Sequence, residues 1–176
     1  MAGAEARYHL PETIRQYYRE QLAQSGEFDT LQGRHLSWYV ALVEETIPSE
    51  PESRIWWNWY DRMEQEHDNF RVALAWSQTF PENAASVLRL VSRVWLFWAV
   101  RGHLEEGRQW LAAALERPSG DDNVLALAME GAGSLALQAA AYDEAQVHLE
   151  ASLSLARSLG NRGLSRSMKG LTVTHA

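Results

Sequence analysis

Glu66, His67, Asp68 and Asn69 stand side by side within RMEQEHDNFRVALAW, residues 62–76. Carboxylates beside an imidazole are what a hydrolase uses for acid–base work and what a divalent metal takes as ligands. The spacing speaks against both. Consecutive residues on a helix point about 100° apart, so Glu66, His67 and Asp68 do not converge on one ion. The zinc-protease pattern needs a second histidine four residues after the first, and Arg71 holds that place. Arg62 and Glu66, four apart, are spaced to pair on one helix face. The stretch is expected to be a joint between two helices, with Asp68 capping the second.

The other histidines, His9, His35, His103, His148 and His175, are scattered. None has another histidine three or four residues away, so spacing predicts no metal site. The chain has no cysteine, which removes thiolate ligands and disulfides. No Gly-x-Ser-x-Gly elbow offers a nucleophile. No Gly-x-x-x-x-Gly-Lys-Ser/Thr loop offers a phosphate cradle, and Lys169, the one lysine, is followed by Gly170. Glu105 and Glu106 open a helix, where negative charge suits the dipole without any catalytic role. These residues predict a protein that is not an enzyme and takes neither cofactor nor metal.

Tryptophan is abundant, with eight residues. In WWNWY, residues 56–60, Trp56, Trp59 and Tyr60 share a helical face and suit a core, which leaves Trp57 turned elsewhere. Tryptophan is enriched at interface hot spots. Trp57, Trp98 and Trp110 are the candidate partner-binding residues. An alternative uses Trp95, Trp98 and Trp110 to enclose an apolar pocket for a small ligand.

The elements that would position these side chains follow from composition and punctuation. The 176 residues carry a formal charge of −7, 46% hydrophobic and 22% charged residues, the make-up of a folded domain. Dispersed arginines on an acidic chain argue against direct nucleic-acid binding. VWLFWAV, residues 94–100, is too short to span a bilayer, and MAGAEARYHL lacks the apolar core of a signal peptide. A cytoplasmic protein is expected.

No segment alternates as a strand would, so the expected fold is all-α. Pro11 and Ser25-Gly26 bracket a first helix, and Asp29 is placed to cap a second. Pro48 and Pro51 interrupt the chain, and Ser53 is placed to cap a third helix. Asp68 begins a fourth and Pro81 stops it. A fifth ends at Arg101-Gly102, a sixth is LEEGRQWLAAALE, and PSGDD at 118–122 is a loop. A seventh spans about 123–139, an eighth about 142–159, and a ninth follows Gly160-Asn161.

Shifting the chain by 38 residues lays RGHLEEGRQWLAAALE over AAYDEAQVHLEASLSL. Gly102 then meets Ala140, Leu104 meets Tyr142, Gly107 meets Ala145, Leu111 meets Leu149, Ala114 meets Ser152 and Leu115 meets Leu153. Small residues let helices approach, and the leucines fill the grooves between pairs. Gly102, Gly107, Leu111, Leu115, Gly133, Tyr142, Ala145, Leu149 and Leu153 are the expected packing set.

This pattern resembles the tetratricopeptide repeat, best over residues 125–156. Ala140 stands where that repeat has glycine, Ser152 where it has alanine, and Trp95 where a small residue is usual. More broadly, ARYHLPETIRQYYREQLAQSGE, RHLSWYVALVEE, DRMEQEHDNFRVALAW and FWAVRGHLEEGRQWLAAAL, in that order, resemble the middle of bacterial STAND-class signalling ATPases of the LuxR/MalT and AfsR types. The resemblance implies three parts: the end of a winged-helix module at 1–27, a helical linker at 28–80, and tetratricopeptide-like repeats at 81–176. It implies eight to nine helices stacked in antiparallel pairs as a right-handed solenoid. It also implies a regulatory scaffold for a protein or peptide partner, or for another domain of a larger parent. The nucleotide-binding module and the DNA-binding domain have no counterpart in this sequence. The last repeat reads as cut short at Leu164, Met168 and Leu171, which implies self-association through that end.

Overall fold

A computed structural model describes residues 24–48 and 54–160, together with Pro11, Ile14, Gln21 and Leu22. Among the described residues there are six α-helices and no strand. They are α1 (Phe28–Thr46), α2 (Arg54–Ser77), α3 (Ala84–Arg101), α4 (Leu104–Glu116), α5 (Asp122–Gln138) and α6 (Tyr142–Ser158), with a 3-10 turn at Pro81–Asn83 before α3. The all-α expectation holds. The ninth expected helix lies outside the described residues, as do Ser53, Leu164, Met168, Leu171 and most of the first helix.

The expected joint at Asp68 does not exist. Helix α2 runs unbroken for 24 residues, and RMEQEHDNFRVALAW lies within it. Neither proline nor glycine interrupts 54–77, and the buried side chains Trp59, Tyr60, Met63, His67, Phe70, Ala73, Leu74 and Ser77 recur at helical spacing across the supposed break. A continuous stripe outweighs the local capping preference of one aspartate. The Asp68 side chain instead lies in solvent and pairs with Arg71 at 3.2 Å. Asp29 is likewise no cap: it sits inside the first turn of α1 and accepts a hydrogen bond from Trp76 Nε1 at 3.0 Å.

Helix α3 is the hub. It packs against α1, α2, α4 and α5, while α5 packs against α4 and α6. Its side chains Leu88, Leu90, Val91, Val94, Phe97 and Trp98 are all buried. One hydrophobic cluster runs from Leu36 to Leu135 and so crosses residue 80 without a break. In WWNWY, Trp59 and Tyr60 are buried, Trp56 is half-buried, and Trp57 is 62% exposed, as the helical face predicts. The Trp59 indole donates to Thr46 Oγ1 at 3.2 Å, tying α2 to the end of α1.

The 38-residue offset reappears in the backbone. The His103 N–H donates to the Trp98 carbonyl at 2.9 Å, and the Ala141 N–H donates to the Ala136 carbonyl at 2.9 Å. Gly107 N–H donates to His103 O at 3.0 Å, and Ala145 N–H to Ala141 O at 2.9 Å. Each pair is related by the same shift, and each six-to-one bond closes a helix through a left-handed residue. Those residues are Gly102 (φ 81°) and Ala140 (φ 58°). Gly102 therefore serves the turn and not helix packing, since a Cβ there would meet nothing within 4 Å. Alanine in this region costs about 1–2 kcal/mol, and glycine loses about 0.4–1 kcal/mol through the unfolded chain. Ala140→Gly is thus expected to stabilise the protein by about 0.5–1 kcal/mol, read as a higher urea midpoint with an unchanged slope.

The remaining packing set divides by contact. A Cβ on Gly107 would lie 2.7 Å from Leu135 Cδ1 and 2.9 Å from Trp98 Cε3. On Gly133 it would lie 2.6 Å from Leu149 Cγ and 3.1 Å from the Ala145 carbonyl oxygen. Both glycines therefore sit where helices touch. Gly131 faces Trp95 at 2.6 Å, so the bulky residue on α3 is matched by a missing side chain on α5. Leu111, Ala145 and Leu149 are buried, and Leu115 and Leu153 are half-buried. Tyr142 departs from expectation: the first residue of α6, it is 64% exposed.

Candidate functional site

The polar residues of α2 find partners from elsewhere in the chain. Glu64 and His67 are three apart on α2, and His103 and Glu106 are three apart where α4 begins. Such spacing puts both members of each pair on one face. Packing crosses the pairs: His67 Nε2 lies 3.1 Å from Glu106 Oε1, and His103 Nε2 lies 3.3 Å from Glu64 Oε1. The imidazole centroids are 4.2 Å apart. Phe97, on the last turns of α3, stands against both rings, at 5.2 Å from His67 and 5.4 Å from His103.

Arginines close the edges. Arg71 donates through Nε to Glu106 Oε1 at 2.9 Å and through its terminal nitrogen to Oε2 at 2.5 Å, the two-pronged geometry that favours guanidinium. Arg101 pairs with Asp61 one turn away. Behind the cluster, Glu66 accepts from Tyr39 Oη at 2.7 Å and from Asn69 Nδ2 at 2.8 Å. The EHDN stretch thus distributes its side chains around the helix: Glu66 to α1, His67 to α4, and Asp68 to solvent.

Burial sets the charges. Desolvation lowers the pKa of His67, with Glu106 opposing and the neighbouring His103 and Arg71 reinforcing. Burial alone would raise the Glu106 carboxyl, but Arg71 and His67 hold it below its ordinary value. Desolvation also lowers His35, whose Nδ1 is buried without a hydrogen-bond partner among the described residues. A histidine with a depressed folded pKa binds fewer protons folded than unfolded. The stability is present above the unfolded value near 6.5 and is lost as pH falls through the lower folded value. In chelator, the thermal midpoint should therefore fall as pH drops below about 6.5, and His35→Gln should flatten that fall.

The cluster also has the donor set of a metal site. One ring nitrogen from each of His67 and His103 and one carboxylate oxygen of Glu64 lie within 4.8 Å of one another. Linear spacing missed this because it looked for a second histidine on the same helix. The legible signal was the pair of acid–histidine repeats, E-x-x-H at 64–67 and H-x-x-E at 103–106.

The candidate partner residues scatter. Trp57 is exposed on α2. Trp98 is 0% exposed and faces Gly107, so it cannot touch a partner in this fold; the expectation for it is corrected. Trp110 lines a pocket of about 290 Å³ with Phe80, Pro81, Val87 and Ala113. Of the three tryptophans expected to enclose a ligand, Trp110 alone lines it; Trp95 packs on Gly131 instead. No helix among the described residues is long and apolar enough to cross a membrane.

No protein-family profile and no solved structure matches the chain. Curated relatives do. The chain is 38% identical over 113 residues to "Putative HTH-type transcriptional regulator Rv0890c" of Mycobacterium tuberculosis (strain H37Rv). It is equally similar to "Putative HTH-type transcriptional regulator Mb0914c" of Mycobacterium bovis. Each match covers 62% of this chain and 12% of the relative. The chain is thus similar to one segment of much longer proteins that are named as HTH-type transcriptional regulators.

Proposed function

We propose that this chain is a non-catalytic regulatory arm: a stack of helix pairs that binds a protein or peptide, or another domain of a larger transcriptional regulator. The carrying observation is the similarity to a segment of regulators named for an HTH domain. The backbone equivalence of the α3–α4 and α5–α6 turns supports a tetratricopeptide-like stack within it. A right-handed solenoid of the STAND-class kind would offer its curved inner surface as the binding face. The regulatory effect would come from unequal affinity of this arm for two states of the parent.

The test is a chimera. The matching segment of the mycobacterial relative is replaced by this chain, and transcription from the relative's own promoter is followed by reporter. The chimera should retain regulation, and deletion of the segment should abolish it. Regulation that survives the deletion unchanged would contradict the proposal.

A further inference from the structure

The histidine–carboxylate cluster between α2 and the start of α4 belongs to no function derived above. We propose that Glu64, His67, His103 and Glu106 hold one divalent transition-metal ion of the zinc class. This stands apart from the regulatory reading and does not depend on it.

Four observations converge. The donor types are those of zinc: two imidazoles and carboxylate oxygens. The geometry is close to assembled. Zinc bonds of about 2.0–2.2 Å at tetrahedral angles set neighbouring ligands about 3.3–3.6 Å apart. The His103–Glu64 separation is 3.3 Å and the His67–Glu106 separation is 3.1 Å. Glu64, His67 and His103 each offer a donor atom within 4.8 Å of the other two, and Glu106 joins the set through His67.

Charge favours a cation. Glu64, Glu106, Asp61 and Asp68 stand around the cluster against Arg71 and Arg101, and both guanidiniums already engage carboxylates. The surroundings are prepared as well. Arg71 holds both oxygens of Glu106, Oε1 at 2.9 Å and Oε2 at 2.5 Å, and would orient that carboxylate while Oε1 also met the ion. Phe97 covers both rings on the side of the core, and His67 is 5% exposed, while Glu64 is open to solvent and supplies an entry path. Ligands from two elements 36 residues apart would make the ion a clasp between α2 and the α3–α4 turn.

The full chain, stripped with chelator, is titrated with Co²⁺ and with Zn²⁺ against a chromogenic chelator. One ion per chain is expected, with visible cobalt bands of tetrahedral type. His103→Gln and Glu64→Gln lie at partly exposed positions and should fold with unchanged helicity. Each should weaken zinc binding by at least about tenfold, and zinc should raise the thermal midpoint of the parent chain more than that of either variant. No stoichiometric binding would overturn the proposal. So would affinity equal to that of the parent chain in both variants, which would put the ion on other histidines.

Discussion

Trp98→Ala is expected to destabilise the protein by about 3–5 kcal/mol, while Trp57→Ala changes stability by no more than about 0.5 kcal/mol. The two tryptophans look alike in sequence, each within a run of aromatics on a helix. Trp98 is 0% exposed, lies in the central cluster, and abuts the backbone of Gly107. Removing its indole leaves a cavity walled by α4 and α5, whose helices cannot collapse without moving each other. Trp57 is 62% exposed and loses little. The Trp98 Nε1 is buried with no hydrogen-bond partner among the described residues. Trp98→Phe should therefore cost much less than the alanine, because it removes an unpaired donor along with part of the ring. Urea unfolding followed by circular dichroism separates these outcomes. A loss below about 1 kcal/mol for Trp98→Ala would show that the site lies at a surface.

Gly133→Val is the second large effect, a loss of about 2–3 kcal/mol. A side chain there would strike Leu149 at its branch carbon and crowd the Ala145 carbonyl, so two helices must separate. Gly33 in α1 provides the contrast. It too sits inside a helix, but a Cβ there would meet Trp76 at an ordinary 3.6 Å. Gly33→Ala should stabilise by about 1 kcal/mol through helix propensity alone. A side chain added in place of a helical glycine thus carries opposite signs at the two positions, decided by what lies across the interface. Equal effects at both positions would mean that α5 and α6 do not touch at Gly133.

What could be read in the chain was largely local. Pro81, Gly102 and PSGDD separate helices through backbone geometry that neighbours do not change, and the breaks appear at 78–83, 102–103 and 117–121. The repeat was legible because small residues recur with a fixed offset. Asp68 misled because a capping preference is a property of one residue, whereas the stripe from Trp59 to Ser77 is a property of the whole helix. Trp98 misled for a related reason. A run such as VWLFWAV is apolar nearly all round, which marks a helix packed on several sides, and α3, packed against α1, α2, α4 and α5, is that helix. The His67–His103 contact depends on how α2 crosses the α3–α4 turn, and only packing decides that.

The claim beneath all of this is that α5 and α6 meet in one register, with Gly133 against Leu149. The chain has no cysteine, so an introduced pair reports cleanly. Gly133→Cys combined with Leu149→Cys brings β-carbons to a separation compatible with the 3.5–4.5 Å that a disulfide needs. Mild oxidation should give an intramolecular bond in nearly every molecule, read by loss of free thiols and by a monomeric band without reductant. Gly133→Cys with Val147→Cys, on the exposed face of α6, should give none. Free thiols persisting in the first pair, or closure in the second, would contradict the packing proposed for the repeat.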